Sequence, residues 1–288
     1  MDFSTIAFRP IQMTDRPWIE RCLASARQPF TALTFPSLMT WAGTYGTTIA
    51  GDDDFFVIRS RHDKGYYMPC GLKEKCLAFM EERAEKEQPA RFVYVPETIA
   101  WALEAEGWHI LYRGDLSEYI LNTEALAMTE GYFITHSYKY KVRHFSQRNR
   151  YRAREITPED LPALRRVRDG AAMVVDTSGP ADAAVLDFEI EHFRELGLRG
   201  VLVETEEGNG AFFLGYEQQP GIFTATMVRH DAALPEDVTA VCLYEFSKIL
   251  RAEYPRINIE EDLGLGGLRM EKTLYSPVDL TKVYEALK

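Results

Sequence analysis

The feature that most constrains the fold is an order of strands and helices that occurs twice along the chain. In the first half, apolar periodicity and turn residues predict the order βααβββαβαββ. The predicted elements are strand 6–11, a helix capped by Thr14, helix 37–45, strands 47–50, 55–60 and 66–68, helix 73–87, strand 91–95, helix 97–106, and strands 108–112 and 118–121.

The second half begins the same order again. Its predicted elements are strand 150–156, helices 158–175 and 181–196, strands 200–205, 211–216 and 222–229, helix 236–253, strand 256–259, helix 268–275 and a terminal segment 282–287. At 288 residues the chain exceeds the roughly 100–200 residues of one domain. We therefore expect an N-terminal domain over 1–130, a basic connecting segment over 131–149 and a C-terminal domain over 150–288.

This order resembles that of the GNAT acyltransferases, the acyl-CoA N-acyltransferase-like proteins. The resemblance implies an α+β or α/β fold of two tandem GNAT-like domains, each a mixed, mainly antiparallel sheet flanked by helices. A fold of this kind does not by itself fix a function.

Charge is distributed unevenly along the chain. The net charge of −11 argues against non-specific binding to nucleic acid or an anionic membrane, because phosphate binding needs a surplus of Lys and Arg. No DNA partner is expected. Residues 131–154, however, contain no acid and seven cations: Lys139, Lys141, Arg143, Arg148, Arg150, Arg152 and Arg154. One interpretation of this segment is a binding site for the phosphates of tRNA, a nucleotide cofactor or a lipid head group. The other is a solvated face whose cations pair with the protein's surplus acids.

Other patterns limit location and chemistry. The start of the chain lacks the basic and apolar stretches of a signal peptide, and no apolar run approaches about 20 residues, so we expect a cytoplasmic protein without a transmembrane segment. The four cysteines form no CxxC pair and are expected to be buried thiols. The histidines lack metal-binding spacing, so no metal site is expected.

The segment 258–277 is the richest in chemical groups. Glu260, Glu261 and Asp262 directly follow a predicted strand, glycines make the turn, and a cationic helix begins. Its Arg269, Lys272 and Tyr275 are spaced to share one helix face. The acids could orient or deprotonate an amine or hydroxyl nucleophile, or they could cap the helix and pair with its cations. Whether Glu260 or Glu261 points inward stays open, because neighbouring strand residues face opposite sides.

Coenzyme A is a second candidate ligand. Gly71 lies where the fourth strand of the first half leads into a helix, the junction that holds the CoA pyrophosphate in GNAT enzymes, and it is the candidate cofactor-binding residue. In the second half the same junction, 230–235, contains no glycine. Residues 261–266 half-match a CoA loop but follow the fifth strand.

The segment 258–277 also resembles the DUF2156 family, which is similar to the C-terminal domain of phosphatidylglycerol lysyltransferase. The family pattern reads approximately N-R-E-x-D-L-G-x-x-G-L-R-x-x-K-x-S-Y-x-P. It is matched here by Asn258, Glu260, Asp262, Leu263, Gly264, Gly267, Leu268, Arg269, Lys272, Tyr275 and Pro277. Weaker similarity occurs at 69–71, 118–120 and 138–145, and Ile259 replaces the family's arginine.

The resemblance implies aminoacyl transfer from a charged tRNA to an amine or hydroxyl acceptor. In the leading hypothesis Glu260, Asp262 and Tyr275 are catalytic, and a small soluble acceptor is expected. The anionic donor lies along Lys139, Lys141, Arg143, Arg150 and Arg152, and Arg269 and Lys272 hold donor or acceptor charge. The alternatives are an acyl-CoA-dependent N-acyltransferase that uses Gly71, and a non-catalytic protein that binds a metabolite or anion. The sequence leaves the donor, the acceptor and the oligomeric state open.

Overall fold

The computed structural model describes residues 3, 6–26, 28–128, 134–171 and 180–288. It divides into two compact units. The first comprises Met1–Ser117 and Thr281–Lys288, and the second comprises Glu118–Leu280. Each unit has a mixed sheet with helices, which confirms the α+β class. None of the helices in the described ranges is long and apolar enough to span a membrane.

The elements are numbered along the chain. The helices are α1 (Arg16–Ala26), α2 (Phe35–Tyr45), α3 (Lys73–Lys86), α4 (Glu97–Ala105), α5 (Thr123–Leu126), α6 (His136–Arg148), α7 (Leu161–Gly170), α8 (Pro180–Glu191), α9 (Asp237–Leu250) and α10 (Gly266–Leu274). The strands are β1 (Thr48–Asp52), β2 (Phe55–Ser60), β3 (Gly65–Tyr67), β4 (Cys70–Gly71), β5 (Arg91–Val95), β6 (His109–Asn122), β7 (Tyr151–Glu155), β8 (Arg199–Thr205), β9 (Gly210–Gln219), β10 (Ile222–His230), β11 (Arg256–Asn258) and β12 (Asp279–Leu287).

The first unit contains the sheet order β1-β2-β3-β5-β12, in which only β3 and β5 run parallel. Its core is aromatic. Phe79 on α3 lies with its ring centroid 5.5 Å from those of Phe3 and Tyr66 and 6.1 Å from that of Phe55. The buried α3 residues recur at helical spacing, so one face of a charged helix supplies this core. Each such aromatic ring contributes about 2 kcal/mol through burial.

The second unit contains the order β6-β11-β10-β9-β8-β7, and α9 covers one face of it. Eight residues of α9 are buried, and the Phe246 ring meets that of Phe223 edge to face at 5.2 Å. Helix α6 packs on α9 through Tyr138, Val142 and Phe145. This face of the sheet is therefore an apolar core.

Strands β10 and β11 pair in parallel over three residues only. Their register ends at Thr224 opposite Asn258, where β11 stops while β10 continues past a bulge between Ala225 and Met227. Because side chains alternate along a strand, Thr224 and Asn258 lie on the face opposite to Phe223 and Ile257, which belong to the α9 core. The loop that carries the predicted acids begins at this point.

Several sequence predictions need correction. The prediction of a strand over 6–11 is wrong. Within this run only Arg9 pairs, in an isolated bridge with Ile49, because Pro10 interrupts the run and has no N–H to donate. Strands 108–112 and 118–121 form one strand, β6. Helix 158–175 is a 3₁₀ turn, Pro158–Asp160, followed by α7, and residues 172–175 lie outside the described residues.

The two compact units and the predicted domains divide the chain differently. The described part of the expected connecting segment 131–149 is helix α6, which lies inside the second unit. Residues 131–133 lie outside the described residues. The terminal segment 282–287 lies in β12 and belongs to the first unit. The domain boundaries at 130 and 150 stay a prediction.

Candidate functional site

A buried polar network connects four strands of the second unit. Asn258 on β11 is fully buried, and its Nδ2 donates to Glu118 Oε2 on β6 at 2.6 Å and to Gln218 Oε1 on β9 at 3.0 Å. Thr224 Oγ1 on β10 donates to the same Gln218 oxygen at 2.9 Å. Buried polar groups need such partners, so the network fixes the orientation of the Asn258 side chain.

Asn258 in turn fixes the backbone of Glu260. Its Oδ1 accepts a hydrogen bond from the Glu260 amide at 2.8 Å, and the Glu260 carbonyl accepts one from the Tyr119 amide at 3.1 Å. Glu260 has φ +60°, a left-handed conformation that costs a residue with a side chain about 1–2 kcal/mol. Lys272 Nζ donates to the carbonyl of Ile259, the preceding residue. Bonds on both sides therefore hold Glu260 in a strained conformation.

Acidic groups outnumber basic groups around the Glu260 side chain. Burial raises the pKa of Glu260 well above its ordinary value, and the nearby carboxylates of Glu261, Glu118 and Glu189 raise it further, against the opposing effect of Lys272. Burial also lowers the pKa of Lys272, against the pull of the surrounding acids. The pKa of Glu260 is thus raised and that of Lys272 lowered, and perturbed pKa values of this kind occur often at functional sites.

Asp262, two residues further on, is in the opposite situation. Arg269 Nε donates to its Oδ2 at 2.7 Å, the Tyr119 hydroxyl to the same oxygen at 2.6 Å, and the Gly264 amide to Oδ1 at 2.8 Å. Burial alone would raise the pKa of Asp262, but these hydrogen bonds outweigh it and hold the pKa below its ordinary value. Asp262 is a fully satisfied carboxylate that fixes the loop before α10.

Helix α10 carries the predicted cations, and they have different partners. Arg269 is exposed and paired with Asp262, whereas Lys272 is largely buried beside Glu260. Tyr275 follows the helix as its C-cap, lies edge to face with Tyr138 at 5.7 Å, and donates to Glu271 at 3.0 Å. Burial raises the pKa of Tyr275 well above its ordinary value, so its hydroxyl stays protonated.

The basic segment has a helical part and a strand part. Lys139, Lys141 and Arg143 lie on α6, where Lys139 and Arg143 are four residues apart. In the strand part, Arg150 lies 3.8 Å from Glu206 with both side chains exposed, and Arg152 is in register with Glu204. Arg154 is bound by Glu204 and Asp160. Acids therefore accompany the arginines of the strand but are absent from α6 itself.

Gly71 lies in the first unit, in β4, opposite Phe55 of β2. Its φ is +132°, and a Cβ there would lie 2.1 Å from the Asp54 carbonyl oxygen. This close approach of protein backbone accounts for the glycine, and coenzyme binding at Gly71 stays a prediction. The four cysteines are buried free thiols, as predicted.

Several residues of the site were not predicted from the sequence. They are Glu118, Gln218 and Thr224 of the polar network, and Glu189, whose carboxylate raises the pKa of Glu260. Tyr119 was recognised only within the short motif 118–120. A usable signal existed for Glu118, because a carboxylate inside the apolar run 118–121 has to be either exposed or bound to a partner. The partner itself, Asn258, is 140 positions away in the chain.

Solved structures show the same fold. A conserved protein of unknown function from Bacteroides thetaiotaomicron VPI-5482 is 25% identical, with a TM-score of 0.85, and the match covers 98% of this chain and 99% of that one. The C-terminal domain (DUF2156) of a protein assigned as a lysylphosphatidylglycerol synthetase, from Agrobacterium fabrum, is 13% identical, with a TM-score of 0.66 and coverage of 96% and 92%. L-PGS from Bacillus licheniformis is 15% identical, with a TM-score of 0.66 and coverage of 97% and 92%.

A comparison with curated proteins finds no match. A family profile, in contrast, matches residues 26–287, nearly the whole chain. This match confirms the resemblance that the segment 258–277 suggested. The chain belongs to the family described as phosphatidylglycerol lysyltransferase, C-terminal.

Proposed function

We propose that this protein transfers an aminoacyl group from an aminoacyl-tRNA to an amine or hydroxyl acceptor, with Glu260 as the general base. The family description, which names a lysyltransferase, supports the reaction class. The observation that carries the proposal is the environment of Glu260. Its backbone is strained and held by hydrogen bonds, and the pKa of its carboxyl is raised by burial and by neighbouring acids. Catalytic bases are tuned in this way so that they accept a proton near neutral pH.

In the proposed reaction, Glu260 removes a proton from the acceptor amine or hydroxyl, which attacks the carbonyl carbon of the aminoacyl ester. A new amide or ester bond forms as the bond from that carbon to the tRNA ribose oxygen breaks. Glu260 returns the proton to this oxygen, and the tRNA leaves with a free hydroxyl. Lys272 favours the ionised form of Glu260 before the reaction. Asp262 and Tyr275 have structural roles in this proposal, since both are buried and bound by side-chain partners.

The cations are proposed to hold the donor. Lys139, Lys141 and Arg143 of α6, with Arg150 and Arg152, would bind tRNA phosphates in a protein that is otherwise acidic. We also propose that the fold arose by duplication of a GNAT-like unit. In the first unit, helices α1 and α2 are followed by strands β1 to β4, helix α3, strand β5 and helix α4. In the second, α7 and α8 are followed by β8 to β10, α9, β11 and α10, and this similar order supports the proposal.

The test is an aminoacyl-transfer assay with purified protein. Labelled lysyl-tRNA is offered with phosphatidylglycerol vesicles and, separately, with soluble amines, while acetyl-CoA replaces the tRNA in a parallel series. We expect transfer from the tRNA, and we expect Glu260→Gln to lower kcat about 100-fold or more, the usual contribution of a general base. Glu207→Gln, which makes the same charge change in an exposed turn, is the matched control and should keep full activity.

Three results would contradict the proposal in whole or in part. Release of CoA from acetyl-CoA without any transfer from tRNA would replace it with N-acyltransferase activity. Transfer from tRNA at an unchanged rate in Glu260→Gln would leave the reaction class standing but remove Glu260 as the base. Absence of turnover with every donor would favour a non-catalytic binding protein.

A further inference from the structure

Helix α6 combines positive charge with an exposed aromatic ring. It has thirteen residues, none of them acidic, in a chain of net charge −11. Tyr138, Val142 and Phe145 are buried in the core of the second unit, so the opposite face of the helix is directed to solvent. The helix carries four lysines and arginines: Lys139, Lys141, Arg143 and Arg148.

The solvent face carries the ring of Tyr140, which is 56% exposed. This ring is stacked on the imidazole of His144, one turn later, with centroids 5.1 Å apart and planes 19° from parallel. His144 Nδ1 lies 2.9 Å from Asp237 Oδ2 at the start of α9. One face of the tyrosine ring therefore rests on an anchored imidazole, and its other face is available to a flat ligand.

We infer that Tyr140, supported by His144, stacks an unpaired base of the tRNA while the α6 cations hold the adjoining phosphates. The tRNA as partner rests on the proposed function. Lys139 and Arg143 lie to one side of the stacked pair along the helix surface, and Lys141 and Arg148 lie to the other. Aromatic rings between cations are typical of single-strand binding, because every base has a face to stack and every nucleotide a phosphate. A paired base is already stacked inside its helix, so the site selects unpaired nucleotides.

Binding of uncharged, fluorescently labelled tRNA to the full-length protein, measured by anisotropy at fixed salt, tests this inference. We expect Tyr140→Ala to weaken binding about tenfold, the effect of losing one base–aromatic stack. Tyr140→Phe keeps the ring and should bind within about twofold of the wild type. Arg143→Gln should lower the slope of log Kd against log salt by about one and leave the contrast between the two Tyr140 variants intact.

The RNA itself provides a second control. A tRNA without its unpaired 3′ nucleotides and a blunt-ended RNA duplex in which every base is paired are measured with the same variants. If Tyr140 stacks an unpaired base of the 3′ end, the difference between Tyr140→Ala and Tyr140→Phe disappears with both RNAs. The thermal unfolding midpoint of each variant is measured as well, so that a loss of binding can be distinguished from unfolding.

Three results would overturn the inference: equal binding of tRNA by Tyr140→Ala and wild type, no binding of tRNA by the wild type, or a loss in Tyr140→Ala that affects phosphatidylglycerol vesicles and not RNA. None of these measurements needs turnover. A protein that transfers aminoacyl groups but binds tRNA equally with and without the ring refutes the stacking role alone. A protein with ring-dependent binding and no transfer refutes the proposed function alone.

Discussion

Each unit of the molecule places a residue with a side chain in the left-handed conformation where a strand gives way to a helix. In the first unit this residue is Tyr94, in β5, and in the second it is Glu260, after β11; both have φ +60°. Tyr94 is buried among aromatic rings, 4.8 Å from Tyr67 and 6.0 Å from Phe30 by ring centroids. Glu260 lies among carboxylates and one lysine.

The difference shows two uses of the same local strain. Around Tyr94, the burial of aromatic surface offsets the backbone strain, so the residue adds to stability. Around Glu260, hydrogen bonds from Asn258 and Tyr119 fix the backbone, but the carboxylate itself is destabilised by its neighbours. A strained residue that also carries a perturbed charge marks a candidate site of chemistry, whereas a strained residue in an aromatic core does not.

The largest expected effect is on the free energy of unfolding. Tyr94→Ala removes a buried ring from the first unit and should lower this free energy by about 3 kcal/mol. Tyr94→Phe keeps the ring and should cost less than about 1.5 kcal/mol. Glu260→Gln removes a destabilised charge with little change in shape and should not lower the free energy. Urea denaturation of the three variants checks this contrast, which fails if Glu260→Gln is destabilised as much as Tyr94→Ala.

The next prediction separates Glu260 from Asp262 by the pH dependence of stability. Burial and nearby acids raise the folded-state pKa of Glu260 above 4.5, so its contribution to stability is present below pH 4.5 and lost as the pH rises towards the folded value. The pKa of Asp262 is lowered below 3.8, because hydrogen bonds outweigh burial. Its contribution is therefore present above pH 3.8 and lost as the pH falls through the folded value.

Thermal midpoints across pH measure both contributions. In Glu260→Gln, the thermal midpoint should fall less than in the wild type as the pH rises above 4.5. Asp262→Asn should flatten the loss on the acid side and lower the free energy of unfolding at neutral pH by about 2 kcal/mol, since charged hydrogen bonds from Arg269 are weakened. Identical pH profiles for the two variants would mean that the two carboxylates do not differ in the way their surroundings indicate.

The sequence identified much of the fold and part of the candidate site. Apolar periodicity is local, so it predicted the strand β11, the acidic turn and the helix α10 with Arg269 and Lys272. It could not decide between Glu260 and Glu261, because the left-handed backbone at Glu260 breaks the alternation that strand reasoning assumes. The contact between Glu118 and Asn258 was also inaccessible, since it depends on how strands far apart in sequence pair in the sheet.

The smallest expected effect on stability concerns exposed ion pairs, one in each unit. Arg150 and Glu206 in the second unit, and Lys282 and Glu97 in the first, are pairs in which all four side chains are more than 40% exposed. Replacement of Arg150 or Lys282 by Ala should change the free energy of unfolding by less than about 0.5 kcal/mol. The two variants should differ in tRNA binding, because the proposed donor surface includes Arg150 and excludes Lys282.

Anisotropy titrations at several salt concentrations measure that difference. Arg150→Ala should reduce the salt slope by about one, the loss of one phosphate contact, and Lys282→Ala should leave the slope unchanged. Equal slopes in the two variants would show that Arg150 serves only its pair with Glu206. A reduced slope in Lys282→Ala would extend the nucleic-acid surface to the first unit, and the functional distinction between the two units would then no longer hold.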